Sequence, residues 1–358
     1  MSLKIDLKNS PHFIEKAWDY FCLLSLIGIW PRFIEPNLLT TTEHILPIEN
    51  LPKELSGLSI LHLSDLHFSQ NSSDKFLRRI IKKAKALQPH LILFTGDIIS
   101  YASLEEKERL KAFLSSLDAP LGCFLSWGNH DYSQYVSLND NQEICIIKDH
   151  VPPLLSGIYR LLSSKKHSYE KPLQNTVKEH KELKELIEES NWTILHNKTV
   201  QVGTGRSSKI NLTGLGDYMA HQCRPEEAFT NQDTRFPTVV LSHNPDTLDL
   251  LDPYACDLIL SGHTHGGQVN LPFIWKRITP VIHTERKSGL LRYGNRFLYV
   301  NRGIGAVIPF RFFAMPEMAK ITLVPAKEAK IRLPLFEEQY IKSKNRSPLF
   351  TCKNTNSP

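Results

Sequence analysis

Hydrophobic and polar positions along this chain follow two periods. Short apolar runs at 59–63, 91–95, 122–127, 238–241 and 258–260 have the length and bulk of buried strands. The stretches 75–87 (KFLRRIIKKAKAL) and 105–117 (EEKERLKAFLSSL) instead repeat apolar residues every three or four positions, which predicts amphipathic helices, the first strongly basic on its polar face. Strands alternating with helices imply a parallel or mixed sheet. A further helix is predicted over 176–190, with Leu183, Leu186 and Ile187 on one face and Glu/Lys pairs elsewhere that read as a solvated face. Strands are expected over 192–202 and 209–215, and the runs 296–300 and 319–324 suggest a late hairpin-like pair. The alternation of strand and helix lapses from 132 to about 191, a stretch in which apolar clusters (VPPLL, IYRLL) and basic residues are mixed before the helix at 176–190. No internal repeat is present.

With 358 residues, 41% of them hydrophobic, the chain can bury one large core. This gives an extension over 1–56, a main domain over 57–326 that includes a 132–190 insertion or lid, and a basic tail over 327–358. A net charge of +6 suits contact with phosphates, anionic lipid or nucleic acid without choosing among them. The six cysteines are scattered with no C-x-x-C pair, as expected of reduced thiols. Residues 20–30 are an apolar run too short to span a bilayer, and the charges before it and Pro31-Arg32 after it do not suit a cleaved signal. An interfacial helix lying on a membrane and a helix packed on the protein's own core both fit it.

Each of the five strand-like runs ends in hard-ligand residues: Asp65-Leu66-His67, Gly96-Asp97, Gly128-Asn129-His130-Asp131, Ser242-His243-Asn244 and Gly262-His263-Thr264-His265. Loops at strand carboxyl ends are where open α/β sheets bind ligands. Two divalent cations held about 3.5–4 Å apart need a bridging anion, flanking oxygen or imidazole donors, and open positions for water and phosphate. These segments offer each part. Alone, Asp-x-His or Gly-Asn-His-Asp is weak; the signal lies in co-occurrence and order. His62 alternates away from the ligand face, and Asp217, Asp246 and Arg302 read more simply as turn, cap or wall residues.

In this order the motifs resemble those of the calcineurin-like metallophosphoesterases: D-x-H, G-D, G-N-H-[DE], a later His and G-H-x-H, over roughly residues 58–324. The resemblance implies an α/β (α+β) fold, a four-layer α/β/β/α sandwich of two mixed sheets with a dimetal site at the strand ends. It makes Asp65, His67, Asp97 and His265 ligands of one metal, and Asp97, Asn129, His243 and His263 ligands of the other, with Asp97 bridging. His130 becomes the residue that meets the phosphate and assists the leaving group, and Asp131 the residue that orients it. The metals implied are Mn²⁺, with Fe²⁺ or Zn²⁺ also suited to a thiolate-free donor set.

A finer resemblance is to the membrane-associated bacterial subgroup, through L-x-I-x-x-L-S-D-L-H at 58–67 and N-R-G-x-G at 301–305. It implies hydrolysis of UDP-2,3-diacylglucosamine to lipid X and UMP in lipid A biosynthesis. The expected partners are a nucleotide-lipid substrate and the cytoplasmic face of the inner membrane, with a cytoplasmic, membrane-peripheral location and neither nucleic acid nor an obligate protein partner. The 20–30 run, the 132–190 insertion and the Phe-rich 309–316 stretch are apolar elements consistent with a lipid substrate, although each also fits a core role. The rivals are a broad phosphodiesterase or phosphatase on the same site, a nuclease, and a metal-binding scaffold without activity.

Overall fold

The computed structural model describes residues 20, 22–25, 28–138, 143–147, 169–173, 175–270 and 283–328. The apolar clusters expected at 151–167, and the tail beyond 328, lie outside these residues. In chain order the strands are β1 (Thr40–Ile48), β2 (Leu58–Leu63), β3 (Leu91–Thr95), β4 (Cys123–Ser126), β5 (Val136–Leu138), β6 (Ile144–Ile147), β7 (Tyr169–Pro172) and β8 (Trp192–Ile194). They continue as β9 (Lys198–Gly203), β10 (Lys209–Gly214), β11 (Thr238–Leu241), β12 (Leu258–Ser261), β13 (Gly289–Tyr293), β14 (Arg296–Val300) and β15 (Glu317–Pro325). Among the described residues, the α-helices with fully described bounds are α1 (Asp74–Leu87), α2 (Lys107–Ser115), α3 (Lys181–Glu188) and α4 (Pro225–Ala228).

Two six-stranded sheets carry the molecule, in the orders β1-β15-β2-β3-β4-β8 and β13-β14-β12-β11-β10-β9. Both are mixed. In the first, β2, β3, β4 and β8 run parallel while β15 is antiparallel to β2. In the second, β10, β11, β12 and β14 run parallel between antiparallel edges β9 and β13. A small sheet, β5-β6-β7, stands apart from them.

Strand alternation assigns each side chain to a layer. Ile60 and Leu93 face the second sheet, where Leu241, Leu260 and Tyr299 complete the central core. Their neighbours Leu61 and Phe94 turn outward against Leu77 and Ile80 of α1, Leu110 of α2 and Leu183 of α3. On the far side Val240, Ile259 and Leu298 pack beneath Ala228, Phe229 and Leu248. These layers form the four-layer α/β/β/α sandwich. Each fully buried leucine or isoleucine contributes about 1.5–3 kcal/mol, and a one-residue slip would exchange the two faces and misplace every loop at the strand ends.

α1 begins at Ser73, whose hydroxyl accepts the Phe76 amide, and ends at left-handed Gln88. α3 starts later than its periodicity predicts, because the Val177 amide is bonded to Ala220 and the Lys178 carbonyl to Ser133. The strand expected over 192–202 is two strands in different sheets. Asn197, with φ 49°, turns the corner, and its side-chain oxygen accepts the Gly216 and Arg224 amides. The late hairpin-like pair is also corrected: β14 pairs with β13 and β12, while β15 joins the first sheet between β1 and β2. β1, within the stretch read as an extension, is an edge strand parallel to β15. Among the described residues no helix is long and apolar enough to cross a membrane.

Candidate metal centre

β2, β3 and β4 of one sheet and β11 and β12 of the other end at the same edge, and the predicted ligands meet in the seam between them. Asp65, His67, Asp97, His263 and His265 adopt left-handed φ values of 47–69°. That conformation costs of order 1–3 kcal/mol per non-glycine residue and persists where neighbours hold it. Here the Asp65 amide donates to Gly96 O and the His67 amide to Asp97 O, each at 3.0 Å. Gly96 and Gly128 let two of these loops cross, since a β-carbon on either would collide with the other loop.

The side chains form two adjoining groups. In one, His265 Nε2 lies 3.5 Å from Asp65 Oδ1 and 3.0 Å from His67 Nε2. In the other, His243 Nε2 lies 3.2 Å from Asp97 Oδ2 and 3.1 Å from His263 Nδ1. Asp97 Oδ2 is also 3.5 Å from His67 Nε2, so this carboxylate stands between the groups. Asp65, His67 and His265 can hold one cation, and Asp97, His243 and His263 another.

Two observations show that the donors fit metal ions. The Asn129 amide nitrogen donates to Val136 O at 2.8 Å, leaving its buried Oδ1 without a hydrogen-bond partner. His243 Nδ1 donates to the Thr95 carbonyl at 2.6 Å, which turns Nε2 toward Asp97 as a donor. In the protein alone, burial pushes Asp65 up to about 6. Burial opposes the charged form of His243, yet Asp97 overrides it and holds that imidazole up at about 10. Burial likewise opposes ionisation of Asp97, and His243 and His130 outweigh it. In the protein alone His243 and Asp97 thus favour each other's charged forms, and a divalent cation would take the imidazolium's place beside the carboxylate. His67, His130 and His265 are held below the usual imidazole range by burial.

His130 points Nε2 toward the centre, 3.9 Å from Asp97 Oδ2, and its Nδ1 accepts the Tyr101 amide at 2.9 Å. Asp131 does not orient His130 as the sequence suggested. Its carboxylate accepts the backbone amides of Gly128, Asp97, Ile98 and Ile99 at 2.7–3.2 Å. The Gly128–Asp131 turn, closed by the Asp131 amide on Gly128 O, folds the side chain under the Asp97 loop.

Three residues near the centre had no clear sequence signal. Tyr135 packs at a tilt against His130 with ring centroids 4.1 Å apart, and the Tyr101 ring centroid lies 5.6 Å from that of the same imidazole. Fully buried Arg311 donates to the carbonyls of Arg302, Gly303, Gly305 and Ala314 and lies 3.3 Å from His265 Nδ1. It comes from the Phe-rich stretch 309–316, whose sequence reads as an apolar element. Of the remaining candidates, His62 is buried against Thr95 at 2.9 Å, Asp217 accepts the Ala220 amide, and Arg302 pairs with Glu317. Asn244, rather than Asp246, caps the turn at Pro245–Leu250.

A model of the calcineurin-like phosphoesterases matches residues 58–267. UDP-2,3-diacylglucosamine pyrophosphatase LpxG of Chlamydia muridarum is 38% identical over 305 residues, which covers 82% of this chain and 92% of that protein. The LpxG protein of Chlamydia trachomatis is 37% identical over 309 residues, with the same coverage of both chains. Phosphodiesterase YaeI of Escherichia coli is 28% identical over 293 residues, covering 82% of this chain and 91% of that one.

Proposed function

The chain belongs to the calcineurin-like phosphoesterases, and from that premise we propose that it hydrolyses the pyrophosphate of UDP-2,3-diacylglucosamine to UMP and 2,3-diacylglucosamine 1-phosphate, lipid X. It is a metal-dependent phosphohydrolase. The observation that carries the finer reading is the 38% identity to a chlamydial pyrophosphatase across nearly the whole of that protein. In this reading the substrate is a nucleotide-lipid met at the cytoplasmic face of the inner membrane.

Asp65, His67, Asp97 and His265 hold one cation, and Asp97, Asn129, His243 and His263 the other, with Mn²⁺ the first candidate and Fe²⁺ or Zn²⁺ compatible with the donors. When bound, such cations act as Lewis acids toward phosphoryl oxygens and acidify a water. The chain's own residues set the rest of the geometry. Because the Tyr101 amide can only donate, His130 Nδ1 is the acceptor and neutral His130 carries its proton on Nε2, the nitrogen facing the centre. That proton is placed to meet a phosphoryl or leaving oxygen. Asp131 fixes the Asp97 loop and so the shared carboxylate.

The similarity to an E. coli phosphodiesterase favours one rival, a broader phosphodiesterase acting through the same centre. One assay separates them: UMP release from UDP-2,3-diacylglucosamine in detergent micelles, beside a soluble aryl phosphodiester, with metal-free, Mn²⁺-loaded and His130→Ala protein. Metal-dependent UMP release that far exceeds aryl ester cleavage and collapses in the variant is expected. Aryl ester cleavage without UMP release would remove the lipid substrate and leave the rival.

A further inference from the structure

We propose that helix α1 and the exposed apolar side chains among the described residues of 20–38 form one composite surface that docks on an anionic lipid bilayer. Nine large apolar side chains are exposed among the described residues, and seven of them lie between Tyr20 and Leu38. An eighth, Phe313, stands on a segment that 31–35 clamps directly. The Arg311 amide donates to Pro31 O at 2.8 Å, and the Ala314 amide donates to Glu35 Oε1 at 2.6 Å. Exposed leucine and aromatic side chains concentrated on one short segment mark an interaction surface rather than scattered surface apolarity. Nor is that surface acidic. Glu35, the one carboxylate among the described residues of 20–38, is buried, and its second oxygen accepts the Trp30 indole at 2.8 Å.

The basic half adjoins it. α1 carries six cations and one acid, Asp74, which pairs with Arg109 at 2.9 Å. Arg79 and Lys83 reach across to the apolar segment and donate to the carbonyls of Asn37 and Leu39, the latter at 2.7 Å. They join the two elements. Lys75, Arg78, Lys82 and Lys85 remain turned to solvent. Apolar side chains beside a row of uncompensated cations match a membrane interface: the former enter the acyl boundary while the latter meet anionic headgroups. Nucleic acid would use the cations and leave the apolar segment without a role, and an apolar protein partner would leave the cations without one.

The surface also leads to the centre. Segment 309–316, clamped on one side by Pro31 and Glu35, carries Arg311, which lies 3.3 Å from His265 Nδ1. Docking would therefore seat the catalytic edge near the bilayer. The inference rests on the reading of a substrate met at a membrane and names the surface that would meet it; because it is read by binding rather than turnover, its failure and the failure of that reading are distinguishable.

The test is co-sedimentation of the full chain with vesicles of phosphatidylethanolamine and phosphatidylglycerol, against phosphatidylcholine alone. Two variants are compared: K75E/R78E/K82E/K85E and L23S/L24S/F33S. Each cation near an anionic surface is worth about 1 kcal/mol, or roughly fivefold in affinity. The charge-reversed protein is expected to lose at least about a hundredfold in affinity for the anionic vesicles. The serine variant is expected to lose binding to both compositions, and both variants to keep the circular dichroism and aryl ester hydrolysis of the parent. Parent protein that stays in the supernatant, or affinity unchanged in either variant, would overturn the proposal. So would charge reversal that abolishes duplex DNA binding while vesicle binding survives.

Discussion

The two sheets meet at the metal centre and bring opposite chemistry to it. The first sheet's edge supplies both carboxylates, Asp65 and Asp97, together with Asn129 and His67, whereas the second supplies imidazoles only, His243, His263 and His265. Anionic donors are costly to bury, and on the first edge they are held by backbone amides: His263 N on Asp65, His130 N on Asp97. The neutral donors need less support. Two divalent cations carry more positive charge than two carboxylates cancel, so the loaded centre retains an excess for a phosphate or pyrophosphate. The first sheet sets the charge of the site, and the second closes it.

The largest expected effect tests that division. Asp97→Asn removes the carboxylate between the two groups and should lower kcat/KM by about 10³-fold or more, the loss of several kcal/mol of electrostatic stabilisation. His263→Ala should cost about tenfold less and be partly recovered at raised Mn²⁺, because a water can replace a neutral donor. Steady-state kinetics across a metal titration checks both. Equal losses without recovery would show that the sheets contribute alike.

Asp131→Asn sharpens the comparison within the first edge. An amide oxygen cannot accept all four backbone donors, and its NH₂ group would face some of them, which predicts a stability loss of about 1–3 kcal/mol. Mn²⁺ affinity should fall by about 10–100-fold, as for other residues that orient ligands. Denaturant melts and calorimetric metal titration read these losses. Unchanged stability with an altered pH–rate profile would return Asp131 to a role through His130.

The effect that is smallest at neutral pH lies between the sheets. Burial lowers His62 to about 3, beneath Tyr299 of the second sheet. Its folded value is below its unfolded value of 6.5, so the unfolded chain takes up the proton first. The stability His62 contributes is complete above pH 6.5 and lost as pH falls toward 3, with a slope of at most about 1.4 kcal/mol per pH unit. His62→Phe should flatten that acid limb in urea melts. An identical slope in the variant would assign the limb to other groups.

The ligands were legible because each follows a buried strand, and hydrophobic runs ending in Asp, Asn or His are a local pattern. What depended on distant contacts was not legible. β1 (TTTEHILPI) is too polar at its start to read as a strand, and β15, its partner, lies far along the chain. The stop at Asn197 looks like continuous strand until Gly216 and Arg224 claim its side chain. Asp131 sits next to His130 in sequence, yet a turn directs its side chain to another loop. Arg311 appeared only as an interruption between phenylalanines, since nothing local shows that a guanidinium will be buried among carbonyls.

The crossing at Asn197 places the donors of the two edges on opposite sides of the sheet-to-sheet step, Asp97 before it and His263 well after. A cation gripping both would rivet the halves of the molecule together, and a chain with only one half folded would lack a complete pair of donor sets. Such a molecule, whether nascent, nicked or heat-damaged, should be catalytically silent rather than loosely active. The seam then acts as an assembly checkpoint: hydrolysis begins only when both halves have found their register.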